Sequence, residues 1–221
     1  MADAAKKSVK GPKHTMCRRV GYCLWGKANC PTNSRTVKDK NGNDTQSKDR
    51  TYPAGQHGPT KRRGKLSTYG ELLLEKQKLR TYYNVSEKQL RFLYEAAKKG
   101  QGVTGDRLNA ALEMRLMTVV YRSGLTPTIF AARQAVSHGH ILVDGKVVDR
   151  ASYRVKAGQV ISISETRSPI IAAIAKDNDV PVPSFMGREK GDIKVTILHE
   201  PQPEEIVNNI DVTKVVEFYA R

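Results

Sequence analysis

Four side chains that can bind a metal ion lie near the start of the chain. They fall within 17 residues and are, in order, His14, Cys17, Cys23 and Cys30. Imidazole nitrogen and thiolate sulfur are ligands that zinc prefers, and four of them can complete a tetrahedral site. However, Cys23 and Cys30 are seven residues apart, which is not the close spacing of a ligand pair. A cysteine without metal is simply a small apolar residue that is often buried. Both interpretations stay open, and we predict no cofactor from these residues alone.

A short cationic run is the second feature with a chemical use. Four of the five residues from Lys61 to Lys65 are basic. The neighbouring Pro59 and Gly64 free the backbone from helical constraints, so that the run could follow a row of phosphates. A solvated charge run and a nuclear localisation signal are the alternatives.

The charge of the whole chain is unevenly distributed. The 221 residues include 38 Lys and Arg against 22 Asp and Glu, a net charge of +16. Residues 1–100 contain 23 basic and 8 acidic side chains, whereas residues 166–221 contain 7 and 9. A positive field confined to one half of a chain is typical of proteins that bind the phosphate backbone of nucleic acids. A charged surface that only maintains solubility is the alternative.

Several classes of protein are excluded by composition. No run of about 18 apolar residues is present, so we expect no transmembrane helix and no membrane partner. The first ten residues are charged and lack an apolar stretch, so we expect no secretory signal. Three cysteines, an odd number, argue against a disulfide framework and for a reducing compartment, which we take to be the cytoplasm.

Catalysis is not indicated by the histidines. His57 lies between Gln56 and Gly58 without a nearby nucleophile or acid, and a lone histidine is more often structural or in contact with phosphate. No glycine-rich phosphate loop precedes a helix, and no pair of carboxylates stands out. We therefore predict that the chain is not an enzyme.

Hydrophobic periodicity predicts the helices that must position these side chains. Apolar residues at helical spacing begin near Tyr69, Ser86 and Leu108, and the third helix is predicted to continue to Gly124. Ser86 and Gln89 have the spacing of a capping box, which marks the start of the second helix.

The period then changes to that of strands. Asp144-Gly145 predicts a hairpin turn, and residues 153–155 and 160–163 predict further strands. Residues 1–68 lack apolar periodicity and are rich in turn-forming residues, so we expect a basic, irregular arm. The predicted fold class is α+β: a helical N-terminal domain with this arm, followed by two helices packed on a small, mostly antiparallel sheet.

Cations are concentrated where the helices give way to strands. Two short helices and a hairpin could present them on one face, which suits RNA that is recognised by shape and phosphate. A generic α+β domain with scattered, solvated charges is the alternative. The cations are Arg107, Arg115, Arg122 and Arg133 on the helices, and His138, His140, Lys146 and Arg154 on the turn and strands.

Several short motifs resemble a known family. Residues 105–165 are similar to the RNA-binding module named after ribosomal protein S-four, through Val119-Val120-Tyr121-Arg122, Ser137-His138-Gly139-His140, Val143-Asp144-Gly145 and Ser152-Tyr153-Arg154-Val155. The flanking segments resemble the bacterial-type small-subunit ribosomal protein S-four family, through Tyr52-Pro53-Ala54-Gly55-Gln56-His57-Gly58, Glu75-Lys76-Gln77-Lys78-Leu79-Arg80 and Glu217-Phe218-Tyr219-Ala220-Arg221.

The resemblance implies a structural constituent of the small ribosomal subunit, located on cytoplasmic ribosomes. It implies a primary binder of 16S-type ribosomal RNA (rRNA) that nucleates assembly of the 5′ domain. Neighbouring small-subunit ribosomal proteins would be partners, and messenger RNA would pass nearby at its entry side. It also implies that the module is inserted into a helical domain. We assign residues 1–68 to the arm, 69–104 with 203–221 to the helical domain, and 105–202 to the RNA-binding module and its sheet extension.

The resemblance extends the set of predicted RNA contacts. To the eight cations of the module we add Arg18, Arg19, Gln56, His57, Lys61, Arg62, Arg63, Lys65, Lys76 and Arg80. Some members of the family hold zinc with four cysteines in the arm, the first two spaced C-x-x-C. Here His14 stands at the first position of that pair, so the resemblance makes zinc possible without requiring it.

Two other functions are compatible with an RNA-binding module of this kind. An enzyme that uses the module for targeting, such as a pseudouridine synthase, needs a large catalytic domain, whereas only 56 residues follow Glu165. A stand-alone translation or ribosome-rescue factor is the other alternative. It would leave the segments 52–58 and 61–65 unexplained.

Overall fold

The structure is a computed structural model, and it describes residues 14–26, 30, 32, 35–38, 44–47, 52–60, 64, 66–178, 180–189, 191–206 and 208–221. Contacts within the chain define two units, residues 1–82 and residues 83–221. We call them unit one and unit two and describe each by itself.

The described residues of unit one form two helices and a pair of antiparallel strands. They are α1 (Thr15–Val20), β1 (Arg35–Lys38), β2 (Asp44–Ser47) and α2 (Thr68–Tyr82). Helix α1 ends at Gly21, whose φ of 97° lies in the left-handed region that glycine adopts without strain. Helix α1 contacts α2, and the indole N–H of Trp25 donates to the carbonyl of Tyr82 at 3.1 Å.

The arm is not irregular throughout, because α1 and the β1–β2 hairpin lie within it. The two strands pair antiparallel, with Arg35 opposite Ser47. Hydrophobic alternation does not predict these strands, because their eight residues include one apolar residue, Val37. The Asn41-Gly42 turn signal between them lies outside the described residues.

Unit two contains six helices among its described residues. They are α3 (Glu87–Lys98), α4 (Thr104–Glu113), α5 (Leu116–Arg122), α6 (Ile129–Ser137), α7 (Pro169–Asp177) and α8 (Val212–Ala220), with a 3₁₀ turn at Pro203–Glu205. The predicted capping box is confirmed, since the hydroxyl of Ser86 accepts from the Gln89 N–H and the Gln89 amide accepts from the Ser86 N–H. Across the described part of the chain, every helix is too short or too polar to cross a membrane.

The single helix predicted from Leu108 to Gly124 is interrupted at Arg115. That residue is extended, with φ −77° and ψ 135°, and pairs with Arg154 as an isolated bridge. The Leu116 N–H then donates to the Tyr153 carbonyl at 2.8 Å instead of continuing the helix. The strand predicted at 153–155 is reduced to this bridge. Apolar spacing could not reveal the break, because α4 and α5 both bury apolar residues and the competing partner is distant in sequence.

The sheet of unit two has five strands, all antiparallel to their neighbours. They are β3 (Ile141–Val143), β4 (Lys146–Val147), β5 (Val160–Ile163), β6 (Met186–Gly187) and β7 (Lys194–Ile197), in the order β4-β3-β5-β7-β6. Asp144 and Gly145 have φ of 49° and 78°, as the predicted two-residue hairpin turn requires. The α+β fold with an antiparallel sheet is therefore confirmed.

One face of this sheet forms the main core. Ile141, Val143, Ile161 and Ile163 alternate along β3 and β5 and are buried against α5, α6 and α7. Burial of such side chains is worth about 1.5–3 kcal/mol each and fixes the helices on the sheet.

Helix α8 packs elsewhere in unit two. It contacts α4, and the ring of Tyr219 stacks on that of Tyr94 in α3 with centroids 4.9 Å apart. The Tyr219 hydroxyl also donates to Glu87 Oε1 at 2.9 Å. These contacts hold the end of the chain near α3 and α4. The domain boundaries given above stay a prediction.

Candidate RNA interface and metal site

The four potential metal ligands come together in unit one. The ligand atoms of His14, Cys17, Cys23 and Cys30 all lie within 4.8 Å of one another. His14 is the N-cap residue of α1 and Cys17 lies in its first turn, and the left-handed Gly21 reverses the chain toward Cys23. Cys30 Sγ lies 3.2 Å from His14 Nδ1. The seven-residue spacing that weakened the sequence argument is therefore no obstacle to a cluster.

The cluster lies largely away from solvent. Cys17 and Cys30 are fully buried, and His14 and Cys23 are half-buried. Burial raises the pKa of the Cys17 thiol to about 12. The pKa of Cys30 is lowered, because hydrogen bonds with Thr32 outweigh the opposing effect of burial.

These residues fit a structural zinc ion. Zinc–sulfur bonds of about 2.3 Å and zinc–nitrogen bonds of about 2.0–2.1 Å place tetrahedral ligand atoms roughly 3.5–3.8 Å apart. The separations are at most 4.8 Å, and that between Cys30 Sγ and His14 Nδ1 is 3.2 Å, so shifts of about 1 Å or less bring the ligand atoms into that range. Three thiols and one imidazole are an established donor set for structural zinc.

A tight loop follows in unit one and presents two of the predicted RNA contacts. The Gly58 N–H donates to the Gly55 carbonyl at 3.1 Å, and a Cβ on Gly58 would lie 2.0 Å from the Pro53 carbonyl oxygen. Only glycine fits at such a close approach. The loop leaves Gln56 and His57 exposed, where they line a cavity of about 790 Å³.

The two arginines of α1 have different surroundings. Arg18 donates to the carbonyls of Tyr52 and Pro53 at 3.1 and 3.3 Å, and its guanidinium lies 4.9 Å from the centroid of the Tyr52 ring. It therefore ties α1 to the loop. Arg19 is exposed and lines the same cavity as His57. Of the pair, Arg19 is the one placed to reach a phosphate.

The cations of α2 are less accessible than expected. Lys76 is only 7% exposed, and Arg80 is half-buried. The neighbouring Lys78 pairs with Glu75, and its ammonium lies 5.7 Å from the Tyr22 ring centroid. Burial would lower the pKa of Lys78, but the hydrogen bond and charge of Glu75 outweigh it and raise the pKa.

Three predicted contacts of the module line one groove in unit two. Arg107, Arg115 and Arg154 surround a cavity of about 640 Å³ between α3, α4 and the turn around Ser152, and we call it the α3–α4 groove. Arg107 packs across Gly100 and donates to the Ala97 carbonyl at 3.1 Å. Arg154 lies at the rim.

Arg122 has a different environment from the other module arginines. Its guanidinium forms a two-pronged ion pair with Glu113, at 2.7 and 3.2 Å. Glu113 is 1% exposed and also accepts from the Tyr83 hydroxyl at 2.7 Å. Arg122 therefore helps to join α4 and α5 in the interior.

The remaining predicted contacts lie around the sheet. Arg133 and Lys146 are exposed. The rings of His138 and His140 are 5.8 Å apart, with His138 exposed and His140 bonded to Ser168. Lys61, Arg62, Arg63 and Lys65 lie outside the described residues, so their contacts stay predictions, as do all the RNA contacts named above.

Phe92 is a candidate that sequence reasoning missed. It is 70% exposed on α3 and lines the α3–α4 groove together with Lys88. In the sequence it stands among Leu90, Leu93 and Tyr94, and an aromatic residue there is indistinguishable from the core positions of the helix.

Two family models match adjacent parts of the chain. Residues 8–113 match the model described as Ribosomal protein S4/S9 N-terminal domain. Residues 114–161 match the S4 domain. The junction falls at the break between α4 and α5, beside the extended Arg115.

Similar proteins cover almost the whole chain. The small ribosomal subunit protein uS4 of Thermobifida fusca is 41% identical over 215 residues, which is 96% of this chain and 98% of that protein. The protein of the same name from Bifidobacterium animalis subsp. lactis is 47% identical over 178 residues, which is 78% of this chain and 86% of that protein. The one from Latilactobacillus sakei is 41% identical over 96% of this chain and 98% of that protein. The chain therefore belongs to the small ribosomal subunit protein uS4 family.

Proposed function

We propose that the chain is a structural component of the small ribosomal subunit that acts by binding rRNA, not by catalysis. Family membership over nearly the full length supports this role. The observation that favours RNA most directly is the α3–α4 groove, where the module gathers three arginines. Such an arrangement neutralises phosphates and so positions a folded RNA.

The finer role is primary binding to the 5′ domain of 16S-type rRNA. The arm and module would grip a junction of RNA helices early, which stabilises the junction and nucleates later assembly. The resemblance to the family supports this step, and it also supports a position beside neighbouring ribosomal proteins near the messenger RNA entry side. The concentration of positive charge in residues 1–100 supports long-range attraction to RNA.

Within this function the metal site has a structural task. His14, Cys17, Cys23 and Cys30 would hold the ion. Zinc bound there would cross-link α1 to the turn that follows it. Arg18, which anchors the loop at Tyr52 and Pro53, links that cross-linked segment to the exposed Gln56 and His57.

Replacing Arg62, Arg63 and Lys65 with alanine is expected to weaken rRNA binding and flatten its salt dependence. Each lost phosphate contact lowers the slope of log K against log salt by about one unit, so the slope should fall by about three units. The slope is measured by titrating the variant against the 5′ domain at several salt concentrations.

A matched control removes the same charge elsewhere. Lys176, Lys194 and Arg221 are exposed and lie outside the predicted interface. Their triple alanine variant should keep the slope of the unmodified chain. Equal slopes for the two triple variants would contradict the assignment of the 61–65 run.

A further inference from the structure

The α3–α4 groove combines positive charge with an apolar face. Its charged lining consists of Lys88, Arg107, Arg115 and Arg154 against one carboxylate, Glu200. That carboxylate lies 3.6 Å from the Arg154 guanidinium at the rim, where both side chains are about two-thirds exposed. The interior of the groove therefore has an excess of positive charge and suits an anionic occupant.

Arg115 is the innermost of these cations. It is 6% exposed, and among the described residues no hydrogen-bond partner for its Nε atom is found. Burial and then the charge of Arg133 lower its pKa. A buried N–H without an acceptor is costly, and the position of Arg115 beside an open groove suits an anionic occupant.

Phe92 supplies a second, independent feature. Its side chain is 70% exposed in a chain of which 6% of the residues are aromatic. It stands on the outer face of α3, whereas Leu90 and Tyr94 of the same helix are buried. An exposed aromatic ring beside cations is the arrangement on which proteins stack an unpaired base of RNA.

We propose that the α3–α4 groove holds one unstacked nucleotide of the bound rRNA, with its base against Phe92 and its phosphate beside Arg115. This inference rests on the proposed function and adds a specific contact to it. The groove volume of about 640 Å³ lies within the range of about 300–1,000 Å³ that is common for small-molecule sites.

The charge of the groove favours RNA over a protein partner. A protein segment that filled it would have to bring carboxylates to the buried guanidinium. A nucleotide provides a phosphate and an aromatic base together, and these match the two kinds of surface that the groove offers. Lys88 and Arg107 flank the space and would contact adjacent phosphates.

The test compares Phe92→Ala with a matched control in binding to the 5′ domain of small-subunit rRNA. Loss of base stacking should weaken binding roughly 5- to 150-fold, with an unchanged salt slope because no charge is removed. Phe92→Trp should retain binding. Ile170→Ala removes an equally exposed apolar side chain, 74% exposed on α7, and should bind like the unmodified chain.

Photochemical crosslinking tests the contact between the RNA base and Phe92 directly. RNA substituted with 4-thiouridine should crosslink to a peptide of α3 that contains Phe92, and less to the alanine variant. Selective RNA binding that is equal for Phe92→Ala and Ile170→Ala would overturn the groove assignment and leave the proposed function intact. If Phe92→Ala still bound RNA normally but no longer bound a neighbouring ribosomal protein, the assignment of the groove to a nucleotide would also be overturned. Failure of the unmodified chain to prefer the 5′ domain would overturn both.

Discussion

One zinc ion per chain is expected after reconstitution, and Cys17→Ser is expected to abolish stoichiometric binding. Cys17 is fully buried, and its sulfur lies within 4.8 Å of the other three ligand atoms. A serine hydroxyl in its place is a much weaker zinc ligand than a thiolate. Structural zinc contributes about 10–16 kcal/mol of apparent binding free energy in small zinc-binding peptides. Losing it should unfold the segment around α1, because the bonds of the ion to its four ligands hold α1 and the following turn together.

The measurement is metal content after dialysis, combined with limited proteolysis of residues 14–30. Chelation of the unmodified chain should expose this segment to protease, as Cys17→Ser does. His14→Cys should keep one zinc ion, because a thiolate replaces an imidazole. His57→Ala changes an exposed histidine outside the cluster and should also bind one ion. An unmodified chain that binds no zinc, or a Cys17→Ser variant that binds as much, would contradict the site.

Glu113→Ala is expected to lower the free energy of unfolding by about 3–5 kcal/mol. The substitution leaves the Arg122 guanidinium, whose side chain is 18% exposed, without its carboxylate. It also removes the acceptor of the Tyr83 hydroxyl, to which Asn208 donates at 3.3 Å. The network joins the connection between α2 and α3, the α4–α5 break and the segment before α8, so its loss affects all three. Equilibrium urea unfolding followed by circular dichroism measures the change.

An exposed ion pair in the same unit serves as the control. In α3, Arg91 Nε lies 3.1 Å from Glu95 Oε1, and the two side chains are 71% and 56% exposed. Glu95→Ala should cost no more than about 0.5 kcal/mol, because such pairs on a helix surface are solvated and entropically costly to form. If the two variants unfold at the same urea concentration, the Glu113 network has no special role in stability.

Local signals in the sequence predicted those parts of the fold that depend on neighbouring residues. The Ser86–Gln89 capping box and the Asp144-Gly145 turn are formed by residues close in sequence, and both appear as expected. The break at Arg115 was missed because it depends on pairing with Arg154, 39 residues away. A helical pattern does not reveal a competing partner at that distance.

In the candidate site, too, the sequence predicts what depends on residue type but not what depends on distant contacts. Residue type predicts that the arginines are phosphate ligands, but it does not show which of them already have partners within the protein. Arg122 is paired with Glu113, and Arg18 is bonded to the 52–53 backbone, whereas Arg115 is buried without a partner for its Nε among the described residues. These differences depend on tertiary contacts.

The metal cluster and the groove also required the structure. Spacing alone could not place Cys30 beside His14, because that distance depends on how the chain turns between them, as it does at Gly21. Phe92 gave no signal, since exposure of an aromatic residue depends on whether another element covers it.

Titration of the purified chain against the isolated 5′ domain of small-subunit rRNA is the most direct test of the proposed function. An unrelated structured RNA is titrated in parallel as the control. Both titrations are made at several salt concentrations, because an affinity for RNA can be interpreted only together with its salt dependence. The proposed function predicts tight binding that prefers the 5′ domain and survives moderate salt. Equal binding to both RNAs that disappears at moderate salt would contradict it.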